Sequence, residues 1–99
     1  MTPLIAKYNS LNKILDAKER KRMCRDYMAW LKENHPGCDP HHVRIGGVNC
    51  GTGMRPHDLW CLPVTKAEHR LMQSYEISLD EQLEKLKKIH KRYMNEKGI

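Results

Sequence analysis

Three helix-start signals flank a glycine- and proline-rich centre and divide this chain into two helical ends and a middle segment. Each signal places a glutamate three positions after Asp16, Thr65 or Ser78, the spacing at which both side chains can bond free backbone N–H groups of the first turn. Apolar residues at helical spacing follow the first and the third signal. We therefore predict helices over residues 16–33, 65–75 and 78–97.

The middle segment contains two short apolar runs that favour β-strands. His35-Pro36-Gly37 ends the first helix, because proline cannot continue a helix and glycine suits the turn. Residues 41–45 and 59–62 are the two strand candidates, and Pro63 stops the second. The glycine-rich loop between them lacks the Lys-Ser/Thr of a nucleotide P-loop. The expected fold class is α+β, with a short β-hairpin and flanking N- and C-terminal helices.

The length of 99 residues supports one domain with a modest core. Apolar residues make up 39% of the chain and there is no phenylalanine, so a bound metal or a partner subunit could add stability. We predict a single domain over residues 1–99, with a core over about 38–76, an N-terminal helical segment over 1–35 and a C-terminal helix over 78–97. The first fifteen residues fit either a short helix or an extended arm.

Basic residues outnumber acidic ones and are concentrated at the start of the first predicted helix. The net charge of +6 favours polyanionic partners through a sequence-independent electrostatic attraction. Positive charges near a helix N-terminus oppose its macrodipole, so either they form a solvated face or they contact phosphates. The residues concerned are Lys18, Arg20, Lys21, Arg22 and Arg25.

The cysteine spacing and the length of the apolar runs provide predictions about structural zinc, membrane spanning and cellular compartment. Cys24, Cys38, Cys50 and Cys61 form no Cys-x-x-Cys pair, so we expect no structural zinc. No apolar run is long enough to span a bilayer, and the first residues lack the pattern of a signal peptide. We therefore expect no membrane partner, and reduced cysteines in a cytoplasmic protein.

The histidines carry most of the chemical content of the chain. His41 and His42 precede the glycine-rich loop, and Asp58 and the helical His69 follow it. A hairpin packed on a helix brings these positions together, and one imidazole can then hold a divalent cation while its neighbour takes a proton from water. The remaining histidines are expected to be ordinary surface residues: His35, His57 and His90.

Several motifs occur in a defined order over about residues 24–73. They are His41-His42-Val43-Arg44, Gly51-Thr52-Gly53-Met54-Arg55-Pro56, His57-Asp58-Leu59, and Leu62-Pro63 through Glu68-His69. Together they resemble the HNH (His-Me finger, ββα-metal) nucleases, and most closely the small phage and prophage HNH proteins encoded near recombination genes. The resemblance implies a ββα-metal core and a metal-dependent endonuclease that hydrolyses DNA phosphodiester bonds in recombination or DNA processing, inside a bacterial host cell.

The resemblance also implies a role for each site residue. His41 and His69 would ligate a divalent ion, Mg²⁺ or Mn²⁺ with Zn²⁺ or Ni²⁺ as alternatives, and His42 would be the general base. Asp58 stands where the asparagine of the family name usually orients that base, so its carboxylate would hold the imidazole. Arg44 would contact the scissile or an adjacent phosphate. The expected DNA contacts are Arg20, Lys21, Arg22, Arg25, Arg55 and Arg70.

The chain departs from the family pattern in two respects. Many relatives carry zinc-binding Cys-x-x-Cys pairs that are missing here, so we expect packing through Trp60 and the first helix to hold the hairpin. No residue is clearly predicted as a third metal ligand, although Asp39 and Gln73 lie close in the sequence to His41 and His69. Asp58 could instead cap a turn, and Arg44 could be a plain surface charge.

Two other classes of function remain open from the sequence. The chain could be a nucleic-acid-binding accessory protein without cleavage activity, or a structural module that binds a partner such as a recombination protein. Three convergent imidazoles favour the enzyme, because a binding module does not need them. A homodimer would let one subunit cut each strand, and the apolar stripe of the last helix fits either core or a dimer seam. That stripe consists of Leu79, Leu83, Leu86, Ile89 and Tyr93.

Overall fold

The computed structural model of this chain describes Leu4 and residues 13–46, 50–51 and 56–98. Among these residues it has three α-helices, two strands and one 3-10 turn, which confirms the α+β class. In chain order they are α1 (Lys13–Asn34), β1 (Asp39–His42), the 3-10 turn (Asp58–Trp60), β2 (Cys61–Val64), α2 (Lys66–Gln73) and α3 (Leu79–Lys97). Arg55, one of the predicted DNA contacts, lies outside the described residues, as does most of the predicted N-terminal arm or helix.

Helix α1 is longer than its predicted range and begins before Asp16. The predicted N-cap therefore lies inside the helix, and the prediction of the helix start is wrong by three residues. Lys13, Ile14 and Leu15 are all compatible with helical backbone, so nothing in the sequence stops the helix at the capping signal. The predicted end is close to the observed one. Gly37 follows it with a left-handed φ of 80°, a conformation that favours glycine.

The two strands pair antiparallel, but the first begins two residues and ends three residues before its predicted bounds, and the second lies two residues after its predicted position. The register opposes Asp39 to Val64 and His42 to Cys61, so Pro40 faces Pro63 in the middle of the ladder. Alternate antiparallel pairs exchange no hydrogen bonds, and such a pair can accommodate two residues that lack an N–H. The prediction that Pro63 stops the second strand is therefore wrong. Residues 59 and 60, part of the predicted strand, belong to the 3-10 turn instead.

Helix α2 begins with the predicted capping box. The backbone N–H of Glu68 donates to Thr65 Oγ1 at 3.1 Å, and the Thr65 N–H donates to Glu68 Oε1 at 3.0 Å. The helix ends at Gln73, two residues before the predicted end. Tyr75 has a left-handed φ of 60°, so the helical backbone cannot continue through it.

Helix α3 follows its predicted range, and Ser78 is its N-cap, accepting from the Glu81 N–H at 3.2 Å. Its apolar stripe faces this chain's own core, where Leu86, Ile89 and Tyr93 are buried. The other two residues of the stripe, Leu79 and Leu83, are partly buried against the same core. No helix in the described part of the chain is long and apolar enough to cross a bilayer.

The hairpin is held against α1 by packing and by one buried hydrogen bond. The Tyr27 hydroxyl donates to the Cys61 carbonyl at 2.7 Å, and Trp60 is almost completely buried beside it. Helix α3 is joined to α1 by the Tyr93 hydroxyl, which donates to the Asp26 carboxylate. The packing predicted for Trp60 and the first helix is therefore confirmed. The largest apolar side chains that are less than 2% exposed are Tyr27, Tyr93, Leu4, Leu59, Met72 and Leu86.

Two of the four cysteines belong to this core. Cys24 and Cys61 are buried, and burial raises the pKa of Cys61 to about 12 and also raises that of Cys24. Buried thiols of this kind are protonated and behave as small apolar side chains.

His90 is a core residue, so the prediction that it lies on the surface is wrong. Its side chain is 1% exposed and its Nε2 lies 2.6 Å from the Leu59 carbonyl oxygen, so that nitrogen carries the proton and donates. Burial lowers the pKa of His90 to about 4. His90 stands four positions after Leu86 and three before Tyr93, the spacing of the buried face. His57 is half-buried and not an ordinary surface residue either, and burial lowers its pKa to about 4.

Candidate functional site

Strand β1, helix α2 and the first turn of α3 enclose an open cleft of about 310 Å³. Four of the predicted site residues line it together: His41, His42, Arg44 and His69. Asp58 is outside the lining and contacts His42 from the 3-10 turn. The other lining residues are Pro40, Met72, Gln73, Tyr75 and Gln82. Residues that are distant in sequence thus converge on one polar cleft.

The two predicted metal ligands are neighbours in the cleft. His41 is in β1 and His69 is in the first turn of α2, and their ring centroids are 5.2 Å apart at an interplanar angle of 71°. Burial lowers the pKa of His41, a hydrogen bond to Gln82 opposes the change, and the proximity of His69, His42 and Arg44 lowers the pKa further. His41 is therefore neutral at pH 7, which is the form in which an imidazole binds a cation.

His42 and Asp58 form a hydrogen-bonded pair at one side of the cleft. His42 Nε2 lies 2.9 Å from Asp58 Oδ1, and the His42 side chain keeps 31% of its surface exposed. Because an ionised carboxylate can only accept, Nε2 carries the proton and Nδ1 keeps its lone pair. The Asp58 side chain contacts the imidazole, as expected from the resemblance. A single carboxylate thus sets which nitrogen of His42 can accept a proton.

A second carboxylate lies near His69. Asp39 Oδ2 is 3.7 Å from His69 Nδ1, within ion-pair range but beyond hydrogen-bond distance. Of the two candidates for a third ligand, Gln73 lines the cleft and Asp39 stands beside His69. Over residues 13–46 and 56–98, no group of three or more His, Cys, Asp or Glu side chains is arranged to hold a metal ion. The two imidazoles are therefore the main protein donors that the described chain offers.

Gln82 contacts His41 and was missed by the sequence analysis. It lies in the first turn of α3, it is 1% exposed, and its Oε1 is 3.0 Å from His41 Nε2. A signal was present, because Gln82 stands four positions before the buried Leu86 and therefore on the apolar face of the helix. A glutamine on that face has to satisfy its amide inside the protein.

The residues predicted to contact phosphate or DNA lie in α1, in α2 and in the segment that follows β1. Arg44 is exposed at the rim of the cleft. Arg70 is exposed in α2 next to His69 but outside the cleft lining. Arg55 lies outside the described residues, and the remaining four belong to α1, where Lys21, Arg22 and Arg25 are exposed and Arg20 is half-buried. The charge of Arg20 helps to lower the pKa of His57, so the basic part of α1 reaches the segment that carries Asp58.

Comparison of this chain with protein-family models, with curated proteins and with solved structures found no match.

Proposed function

We propose that this protein is a metal-dependent endonuclease of the HNH type that hydrolyses DNA phosphodiester bonds. The observation that carries the proposal is the convergence of His41, His42 and His69 on one cleft, with a carboxylate bonded to His42. In this proposal β1, β2 and α2 are the ββα-metal core. A role in recombination or DNA processing, and an origin in a phage or prophage, follow from the resemblance stated above.

His42 is the general base of the proposed reaction. Its Nε2–H donates to Asp58, so Nδ1 takes a proton from the water that attacks the phosphorus. The imidazolium that forms is stabilised by the Asp58 carboxylate at 2.9 Å. Asp58 therefore keeps the ring in the useful tautomer and balances the charge that arises during proton transfer.

His41 and His69 are the residues that would hold the divalent ion. Two imidazoles fit Mn²⁺, Zn²⁺ or Ni²⁺ as ligands, and they also fit Mg²⁺ if water supplies most of its coordination. The position of His41, buried at the wall of the cleft, and the polar lining of the cleft fit this role. When bound, the ion supplies positive charge that stabilises the negative charge developing on the phosphate and the leaving oxygen.

Arg44 orients the phosphate at the rim of the cleft. Its guanidinium is exposed and close enough to His41 to lower the pKa of that imidazole. A guanidinium fork matches two phosphate oxygens, and its position at the entrance suits the scissile or the adjacent phosphate. The basic residues of α1 then contact neighbouring phosphates of the same duplex.

The proposal is tested by incubating supercoiled plasmid with the purified protein and Mg²⁺, Mn²⁺, Zn²⁺ or Ni²⁺. We expect nicked and linear DNA with at least one ion, and intact plasmid when EDTA is present. Intact plasmid with every ion at high protein concentration would overturn the nuclease proposal.

The alternative is a nucleic-acid-binding accessory protein that does not cleave. The exposed basic residues of α1 favour it, because they offer phosphate contacts that do not depend on the cleft. In that case the protein would bind the plasmid with the same affinity with and without divalent ions and leave it intact.

Reversing the charges of α1 is expected to weaken DNA binding strongly. In a triple variant, Lys21→Glu, Arg22→Glu and Arg25→Glu, each lost phosphate contact should reduce the slope of log affinity against log salt by about 1. Fluorescence anisotropy with a labelled duplex at several salt concentrations measures both the affinity and the slope.

A matched control changes the net charge by the same amount in α3. Lys87→Glu, Lys88→Glu and Lys91→Glu replace three exposed lysines on that helix. We expect this control to retain the wild-type salt slope. Equal losses in the two triple variants would mean that only net charge matters and that α1 is not the contact surface.

A further inference from the structure

Both the nitrogen and the oxygen of the Gln82 side-chain amide form hydrogen bonds inside the protein. Its Nε2 donates to the Met72 carbonyl at 3.2 Å and to the Ile77 carbonyl at 3.0 Å, and its Oε1 lies 3.0 Å from His41 Nε2. The residue is 1% exposed, so water does not compete for these bonds. One amide thus joins the end of α2, the connection to α3, and the histidine in β1.

The chemistry of these partners determines which atom donates and which accepts in each hydrogen bond of Gln82. Backbone carbonyls only accept, so the amide nitrogen of Gln82 must face Met72 and Ile77. The amide oxygen therefore faces His41, and an oxygen of this kind accepts as well. It follows that His41 Nε2 carries a proton and donates it to Gln82, while His41 Nδ1 keeps its lone pair.

We infer that Gln82 is a positioning residue that holds His41 in the Nε2–H tautomer, so that Nδ1 is the nitrogen that ligates the divalent ion. This inference rests on the proposed function, in which His41 is a metal ligand. A hydrogen bond from the second ring nitrogen commonly sets the orientation and basicity of a metal-binding histidine. Gln82 also bonds the Met72 carbonyl of α2, the helix that carries His69. Its hydrogen bonds therefore also help to fix the distance between the two proposed ligands, His41 and His69.

The tautomer is measured by NMR on the metal-free wild-type protein, with no variant needed. Long-range ¹H–¹⁵N correlation at pH 7.5 is expected to show a protonated Nε2 and an unprotonated Nδ1 for His41. Its ring N–H should persist in water because it is bonded and buried. A protonated Nδ1 would overturn the inference.

Gln82→Met removes the amide and keeps a side chain of similar length. We expect the persistent ring N–H of His41 to disappear and the affinity for Mn²⁺, measured by calorimetry, to fall by about 10- to 100-fold. Gln82→Glu retains an oxygen facing His41 and is expected to keep the ring N–H. An unchanged His41 spectrum or an unchanged Mn²⁺ affinity in Gln82→Met would overturn the inference.

Ser78→Ala is the matched control for a loosened helix. It removes the N-cap of the same helix, which typically costs about 1 kcal/mol, and it does not touch His41. We expect wild-type Mn²⁺ affinity and a wild-type His41 spectrum. Equal weakening of Mn²⁺ binding in Ser78→Ala and Gln82→Met would overturn the inference, since stability of the helix start would then explain both.

Failure of this inference differs from failure of the proposed function. The tautomer is read without metal or DNA, so intact plasmid in the cleavage assay would overturn the nuclease and leave the Gln82–His41 bond standing. A protonated His41 Nδ1 would overturn the role of Gln82, and the cleavage assay would still decide the function.

Discussion

Replacing His42 with alanine is expected to lower the rate of DNA cleavage by about 10²- to 10⁴-fold, the usual contribution of a positioned general base. His42 carries the lone pair that accepts the proton of the attacking water, and no neighbour in the described cleft is bonded to a carboxylate at 2.9 Å in the same way. The measurement is single-turnover cleavage of supercoiled plasmid at saturating metal.

The fold and the DNA affinity of His42→Ala should stay close to those of the wild type. The side chain is 31% exposed and is not part of the apolar core, so its loss opens no buried cavity. Circular dichroism and anisotropy with labelled duplex check both points. Cleavage by His42→Ala at the wild-type rate would show that another group is the base.

Two further variants test whether the loss of activity in His42→Ala is specific to the proposed base. Asp58→Asn changes the carboxylate that bonds His42, and His35→Gln is the control for replacing a histidine outside the cleft. Asparagine can still accept from His42 Nε2 but does not balance the imidazolium charge, so we expect an activity between that of the wild type and His42→Ala. His35 lies near Trp30 and outside the cleft lining, and its replacement should leave the cleavage rate unchanged. Equal losses in His35→Gln and His42→Ala would contradict the assignment.

The free energy of unfolding is expected to fall by about 3 kcal/mol through His90 as the pH is lowered from 7 to 4. The ordinary pKa is 6.5, and burial lowers the pKa of His90 in the folded protein to about 4. Below pH 6.5 the unfolded chain therefore binds a proton that the folded protein does not. The stabilisation is complete above pH 6.5 and is lost as the pH falls towards 4. His57, whose pKa is also about 4, acts in the same direction.

Urea unfolding of the wild type and of His90→Gln between pH 4 and pH 8 tests this dependence. Glutamine offers an amide N–H to the Leu59 carbonyl and does not titrate in this range. The variant is expected to be less stable at pH 7 because its shape differs, but its stability should change less with pH. Identical pH profiles for the two proteins would show that His90 does not control the loss.

The sequence predicted the parts of the fold that depend on neighbouring residues. The signals at Thr65 and Ser78 gave the correct starts of α2 and α3, because a cap bonds the backbone only three residues away. The same signal failed at Asp16, since the residues before it also form helix. The strand register depends on which residue of β2 faces Pro40, and that is decided by the packing of the whole hairpin.

The candidate site also contains residues that the sequence predicted and residues that it did not. His41, His42 and His69 stood out because they belong to ordered motifs, and they do line one cleft. Gln82 did not stand out, because its partner is 41 positions away and a glutamine in a helix is usually exposed. His90 stands next to Ile89 of the predicted apolar stripe and four positions after Leu86, so the spacing to Leu86 is a signal for its burial.

Helix α3 bears on how small a working version of this protein can be made. None of the proposed ligands or catalytic groups belongs to it, and a fragment of residues 38–76 would contain them all. Yet Gln82 and His90 of this helix bond His41 and the carbonyl of Leu59, the residue that follows Asp58. Grafting the strand–strand–helix unit into another scaffold would thus transfer the reacting groups without the two polar contacts behind them. A fragment that keeps both contacts has to extend at least to residue 90.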